Sequence, residues 1–177
     1  KIITSSTMDI EMGITKILVT GSAGLIGTQV VKDLLDNHMQ VYSCYNQTKP
    51  KLGIITHLDL TKKDDIVNTM SRIRPNVVIH LGAMTDVELC ETEKVLAKKI
   101  NTDATEILAL ESEKYNSFFL YMSTDYVFDG NSGMKKEEDK PLSFAQEQDM
   151  LWGGKNANFI QGSFKTMQSC KTTSFLV

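Results

Sequence analysis

Cysteine, proline and tryptophan are scarce in this 177-residue chain, at three, three and one. Cys44, Cys90 and Cys170 are an odd set without metal-type spacing, which argues against a disulfide-stapled scaffold and a zinc site and suits a reducing, cytoplasmic setting. No apolar stretch approaches the roughly 18 residues needed to cross a bilayer, and nothing resembles a secretory signal, so no membrane partner is expected. Basic charge is not in excess: 19 Lys and Arg stand against 22 Asp and Glu, a net charge of -3, so there is no electrostatic footprint for nucleic acid. Tyrosine is missing everywhere beyond Tyr126.

What is present is ordinary for a globular domain: 41% hydrophobic and 23% charged residues, with a length that favours one domain. The start at Lys1 rather than a methionine, and the ending Ser174-Phe175-Leu176-Val177, which reads like the middle of a strand, lead us to expect a fragment.

The stretch that organises the chain runs from Lys16 to Leu35. An apolar run, Ile17-Leu18-Val19, leads into Thr20-Gly21-Ser22-Ala23-Gly24-Leu25-Ile26-Gly27 and then an amphipathic segment. A buried strand ending in a glycine-rich turn that opens a helix suits a pyrophosphate, because first-turn N–H groups have no intrahelical partner. Gly21 allows the tight turn, Gly24 the approach of the phosphates, and Gly27 close packing of helix on strand.

Helical spacing follows through Val30, Val31, Leu34 and Leu35, then strand-like Gln40 to Tyr45 and a turn at Asn46 to Pro50. Ile54-Ile55 reads as a short third strand, and Thr61 as the cap of a helix through Met70 and Ile73. Val77 to Leu81 is a continuous apolar run of the kind covered on both faces. A loop is expected from Gly82 to Glu91, its plainer reading being a strand-to-helix turn with Thr85 or Asp86 as the helix cap; one helical stretch is expected from Glu93 to Tyr115, and a strand at Phe118 to Met122. Strict alternation of strand and helix means parallel βαβ units, hence an α/β fold with a Rossmann-type, doubly wound parallel sheet and helices on both faces. The expected division is an N-terminal extension (1–13), a dinucleotide-binding domain (14–141) and an atypical tail (142–177), truncated or irregular, in which apolar periodicity stops.

Dinucleotide folds often place an acidic residue at the end of the second strand to hold the ribose 2′-hydroxyl. Here Cys44, Tyr45 and Asn46 stand there, with Lys49 and Lys51 close behind, which favours NADP(H) over NAD(H). The two lysines read equally well as solvated turn residues. His80, inside an apolar run, reads as a core histidine rather than a catalyst. Ligands in such sheets sit at the carboxyl ends of strands, which singles out Gly82-Ala83-Met84-Thr85-Asp86-Val87 and Ser123-Thr124-Asp125-Tyr126. A hydroxyl there can hydrogen-bond a substrate carbonyl and strengthen that bond as charge develops.

These segments, with Asp59-Leu60, Cys90-Glu91, Ile100-Asn101 and above all Ser123-Thr124-Asp125-Tyr126-Val127-Phe128-Asp129-Gly130 and Glu137-Glu138-Asp139-Lys140-Pro141, resemble the extended short-chain dehydrogenase/reductases. The likeness covers about residues 14 to 141, and within that family it is strongest to the dTDP-4-dehydrorhamnose reductases. It implies hydride transfer from NADPH to the C4 ketone of dTDP-4-dehydro-L-rhamnose, giving dTDP-L-rhamnose for polysaccharide synthesis. It also implies cofactor contacts from Gly21, Ala23, Gly24, Leu25, Ile26, Asn46, Asp59, Leu60, Gly82, Ala83, Thr85 and Asn101. Thr124 would hydrogen-bond the reacting oxygen, with Asp125 beside it, and no metal is implied. The partner expected is a dTDP-linked deoxysugar, and a homodimer is left open.

The chain departs from that family after Pro141. A Tyr-x-x-x-Lys pair is expected there, and Phe144 to Gln148 has the spacing without the chemistry. Tyr126 could share a strand face with Thr124 but has no lysine at helical spacing to lower its pKa. A shifted reading frame, an incorrect gene model or a decayed copy would each account for the break, and poor turnover is expected. Two rivals stand beside this reading: a regulatory subunit resembling the methionine adenosyltransferase β subunit, and a sugar-nucleotide epimerase or dehydratase with tightly held NAD.

Overall fold

Lys16–Thr20 forms β1 with every residue buried, as a strand covered by helices on both faces requires. The structure, a computed structural model, describes residues 15–123 and 172–176. After β1 come α1 (Leu25–Asp36), β2 (Gln40–Tyr45), β3 (Ile54–His57), α2 (Lys63–Ile73) and β4 (Val77–His80). The crossover to β5 (Phe118–Ser123) is made of α3 (Val87–Thr92), α4 (Lys94–Lys98), a π-helical turn (Lys99–Asp103) and α5 (Ala104–Lys114). A last strand, β6 (Thr172–Leu176), pairs with β5 and falls inside the stretch set apart from sequence as a tail.

The sheet has six strands in the order β3-β2-β1-β4-β5-β6, and every pairing is parallel. Side chains alternate across it. Leu18, Cys44, Val78 and Phe119 meet Ile66, Met70 and Ile73 of α2 and Leu108 of α5 on one face. Ile17, Val19 and Val41 meet Val31 of α1 on the other, with Leu34 and Leu35 packed against them. The doubly wound α/β expectation therefore holds.

Two local expectations are corrected and a third is refined. The loop after β4 ends earlier than Glu91, because the Asp86 carboxylate accepts the Leu89 N–H at 3.0 Å and starts α3 at Val87. The helical stretch expected from Glu93 to Tyr115 is helical from Lys94 to Lys114, with the π-helical turn as an unexpected feature between α4 and α5. Thr61 caps nothing: its N–H and hydroxyl both donate to the Asp59 carboxylate, at 3.0 and 2.7 Å, and α2 begins after Lys62 without a side-chain cap. Replacing the α3 cap by Asp86→Ala is expected to cost about 1 kcal/mol, read as a lower urea midpoint with an unchanged slope. An unmoved midpoint would show that the exposed cap contributes nothing.

Candidate functional site

The glycine turn leaves β1 at its carboxyl end and lies against the loop that leaves β4 beside it. Gly21 has φ +64° and packs so closely on that loop that a Cβ would stand 2.7 Å from the Leu81 carbonyl carbon. The Gly24 N–H closes the turn on the Gly21 carbonyl at 3.0 Å, and the Thr28 N–H makes the next bond, to the Gly24 carbonyl at 2.9 Å. Gly27 is pressed onto the turn itself: a Cβ there would collide with the Gly21 carbonyl oxygen and come within 2.8 Å of Ser22 Cα. Ser22, which the sequence reading did not single out, donates its buried hydroxyl to the Cys44 carbonyl at 2.7 Å and pins the turn to β2.

The N-terminus of α1 is left bare by this arrangement. Its N-cap is Gly24, no side chain caps it, and the first turn holds no acidic residue. The Leu25 and Ile26 amides then have no intrahelical acceptor, and the positive end of the helix dipole is not neutralised. Leu25 is 94% exposed and Ile26 46%, so an apolar shelf flanks the amides. A diphosphate fits this cradle: donors, positive potential and no Cβ in the way.

The other expected cofactor residues gather at the same end of the sheet. Asn46 follows β2, and its amide nitrogen lies 3.5 Å from the Asp59 carboxylate at the end of β3. The Thr61 hydroxyl hydrogen bond, helped by the Thr61 N–H and by Lys62 at 3.2 Å, holds the Asp59 carboxyl below the usual carboxylate range. Leu60 lies over Gly82, where a Cβ would come within 2.9 Å of Leu60 Cδ1. Ala83 and Thr85 are exposed on the loop after β4. Asn101, in the π-helical turn, grips that loop by accepting the Met84 N–H at 2.7 Å and donating to the Met84 carbonyl at 3.0 Å. Ala23 sits half-buried within the turn. Thr124, Asp125 and Tyr126, and the segment from Phe144 to Gln148, lie outside the described residues.

His80 is buried, its ring stacked on Tyr121 at 5.6 Å and Phe119 at 6.2 Å. Burial pushes its pKa down to about 4, so the ring is neutral and turned away from solvent, as a core histidine should be. Burial likewise pushes the Cys44 thiol up to about 12 and raises that of Cys90, which makes neither a nucleophile at neutral pH. Among the described residues no group of His, Cys, Asp and Glu gathers as a metal site, and no helix is long and apolar enough to cross a membrane. A cavity of about 670 Å3 lies elsewhere, between β3 and α2, lined by Tyr42, His57, Asp65, Asn68 and Arg72 among others and by none of the turn residues. That opening lies along the edge of the sheet, away from the N-terminus of α1.

A parallel sheet whose order reverses between β1 and β4, with a bare helix N-terminus at that reversal, defines a Rossmann-type α/β domain. More narrowly, the chain belongs to the family described as RmlD substrate binding domain, which matches residues 15–147. It is 34% identical over 125 residues to the dTDP-4-dehydrorhamnose reductase of Aggregatibacter actinomycetemcomitans, covering 70% of this chain and 40% of that protein. It is 32% identical over 127 residues to methionine adenosyltransferase 2 subunit beta of Pongo abelii, covering 71% and 37%. The chain thus spans about two-fifths of the length of these curated relatives.

Among solved structures, a hypothetical dTDP-4-dehydrorhamnose reductase from Sulfolobus tokodaii superposes with a TM-score of 0.76 at 29% identity, over 92% of this chain and 55% of that one. A dTDP-4-dehydrorhamnose reductase from Bacillus anthracis, solved with NADP, shares the fold with a TM-score of 0.69 at 24% identity, over 92% and 52%. The resemblance to extended short-chain reductases expected from sequence is thereby established.

Proposed function

We propose that this chain binds NADP(H) across the glycine turn and forms the cofactor half of a dTDP-4-dehydrorhamnose reductase, with turnover well below that of a complete family member. The observation that carries the reading is the bare N-terminus of α1, with Gly24 as cap and no acidic side chain in its first turn. When bound, the nicotinamide supplies a hydride to the C4 ketone of the dTDP-linked deoxysugar. The chain's own part is to hold the diphosphate on the Leu25 and Ile26 amides and to set the loop of Gly82 and Ala83 beside it. Thr124 is proposed to donate a hydrogen bond to the reacting oxygen, with Asp125 next to it.

Preference for the 2′-phosphate is supported by the end of β2, where Asn46 stands in place of a carboxylate and Lys49 and Lys51 follow. The nearest carboxylate, Asp59, is occupied by Thr61 and Lys62. Low turnover follows from the missing Tyr-x-x-x-Lys, since a positioned proton donor contributes roughly 10²–10⁴-fold. Cytoplasmic residence belongs to the same reading.

Fluorescence titration with NADPH and NADH, beside a reductase assay on dTDP-4-dehydrorhamnose, tests it. The expected result is saturable binding, tighter for NADPH, with turnover roughly 10²–10⁴-fold below that of a complete reductase. Full turnover would refute the impaired catalyst, and an unmoved signal with both nucleotides would refute the cofactor.

A second reading is favoured by the 32% identity to methionine adenosyltransferase 2 subunit beta together with the missing proton donor: a non-catalytic subunit that docks on a partner enzyme. Capture of a methionine adenosyltransferase by the chain, with no binding of dTDP-sugars, supports it.

A further inference from the structure

We propose that His80 is a positioning residue for the nucleotide site: by bridging Thr20 and Thr105 it locks the loop after β4 against the glycine turn. The role in nucleotide affinity rests on the dinucleotide reading above; the locking of the loop does not.

Thr20 ends β1 and His80 ends β4, and the two are partners in register. Three groups converge on the Thr20 hydroxyl oxygen: the Leu81 N–H at 3.1 Å, the Gly82 N–H at 3.0 Å and His80 Nδ1 at 2.6 Å. A hydroxyl has two lone pairs and one proton. The two amides take the lone pairs, so the Thr20 proton must go to Nδ1. That makes Nδ1 the acceptor and puts the proton of the neutral ring on Nε2, which lies 3.0 Å from the Thr105 hydroxyl. Thr105 passes its own proton on to the Asn101 carbonyl at 2.9 Å, while the Asn101 side chain holds Met84 by both backbone groups.

The chain of donors is therefore directional and returns to where it began. The loop is fixed at Leu81 and Gly82 through Thr20 and at Met84 through Asn101, and the imidazole joins the two anchors. Gly21 rests on the Leu81 and Gly82 backbone, so a shift of the loop is a shift of the cradle. Only neutral imidazole can play this part, since a doubly protonated ring would leave the Thr20 hydroxyl without an acceptor. Its surroundings keep it neutral: the ring faces Thr20 from β1, Thr105 from α5, and Phe119 and Tyr121 from β5. Tyr121 is the titratable group among these, and burial raises its pKa, so it too is uncharged. Val or Leu would satisfy packing in this apolar strand; neither could tie two anchors together.

Three variants of the full chain test the proposal. His80→Phe keeps the stacked ring and deletes both nitrogens, Thr105→Val cuts the far link, and Val78→Ala destabilises the same strand without touching the loop. NADPH affinity is measured by fluorescence well below the melting temperature of each, and hydrogen exchange is followed at the Leu81, Gly82 and Met84 amides. His80→Phe is expected to raise the NADPH Kd roughly tenfold and Thr105→Val roughly threefold, the scale of a lost buried hydrogen bond. Exchange at the loop amides should speed up in both. Val78→Ala should lower the melting temperature and leave affinity and loop exchange as in the unaltered chain.

An unchanged Kd and unchanged loop exchange in His80→Phe would overturn the proposal, because a merely structural histidine behaves like Val78. If His80→Phe does not fold, the same pair of results in Thr105→Val overturns it. If the unaltered chain binds no NADPH, the dinucleotide reading falls, and the exchange rates still decide whether His80 fixes the loop.

Discussion

Gly27→Ala is expected to abolish measurable nucleotide binding and to destabilise the chain. A methyl group at this position would collide with the Gly21 carbonyl oxygen and sit 2.8 Å from Ser22 Cα. Both neighbours are backbone, so neither can swing aside as a flexible side chain would. Helix α1 would have to lift off the turn, carrying the Leu25 and Ile26 amides away from the position proposed for the diphosphate. Overpacking of this kind costs roughly 1–3 kcal/mol, against which alanine's better helix propensity returns up to about 1 kcal/mol. Gly24→Ala provides the contrast, since a Cβ there meets only the Gly21 carbonyl oxygen at 3.3 Å. It should leave stability nearly intact while weakening binding, because its methyl would fill part of the open space beside the proposed diphosphate site. Denaturant titration beside NADPH titration reads both, and a Gly27→Ala chain with unaltered midpoint and affinity would contradict the packing described here.

Acid is expected to weaken the fold in a window set by His80. Burial lowers its pKa from 6.5 to about 4 in the folded chain. Between those values the unfolded chain holds one more proton than the folded chain, so stability rises with pH across the window. The contribution is complete above pH 6.5 and is lost as pH falls through the folded value, on the order of 3 kcal/mol in all. Asp59, whose pKa is lowered chiefly by Thr61, acts in the same direction but only from about pH 5 downward, where an ordinary carboxylate begins to protonate. The upper part of the histidine window, from about pH 6.5 to pH 5, is therefore free of the carboxylate. Urea unfolding of the unaltered chain and of His80→Phe at intervals from pH 7 to pH 4 should give curves that diverge above pH 4 by the proton that only histidine can take. Parallel curves would remove the histidine from the account.

The parts of this fold legible in the sequence are those whose physics is local. β1, β4 and β5 announce themselves because strands covered on both faces must be apolar runs, β2 because a strand-like stretch is closed by the turn from Asn46 to Pro50, and the glycine turn because close approach excludes side chains at fixed spacing. The start of α3 was legible only as one of two readings: Thr85 or Asp86 could be offered as its cap, but a short, largely exposed helix has no apolar period to set it apart from a loop. The π-helical turn was missed because one extra residue per turn barely disturbs apolar spacing over a stretch from Glu93 to Tyr115. Thr61 looked like a cap because sequence shows a hydroxyl before a helix and not the Asp59 carboxylate that claims it.

The candidate site divides the same way. Gly21, Gly24, Leu25 and Ile26 could be placed from the turn itself, and Asp59, Leu60, Gly82, Ala83, Thr85 and Asn101 only through family likeness. Ser22 and the partners of His80 left no trace, since hydrogen bonds spanning 22 to 60 residues have no repeating pattern to read. Thr124 and Asp125 remain proposals.

The position of β1 has a kinetic consequence. It is flanked by β2 and by β4, and Thr20 meets His80 across 60 residues of intervening chain. During synthesis a strand whose five residues are all buried in the finished fold therefore emerges early and waits, one edge unsatisfied, until the ribosome has extruded β4. Parallel pairings this distant are slow to form and leave sticky surface exposed in the meantime, so the nascent chain should depend on chaperone protection over that interval far more than its finished thermodynamic stability would suggest.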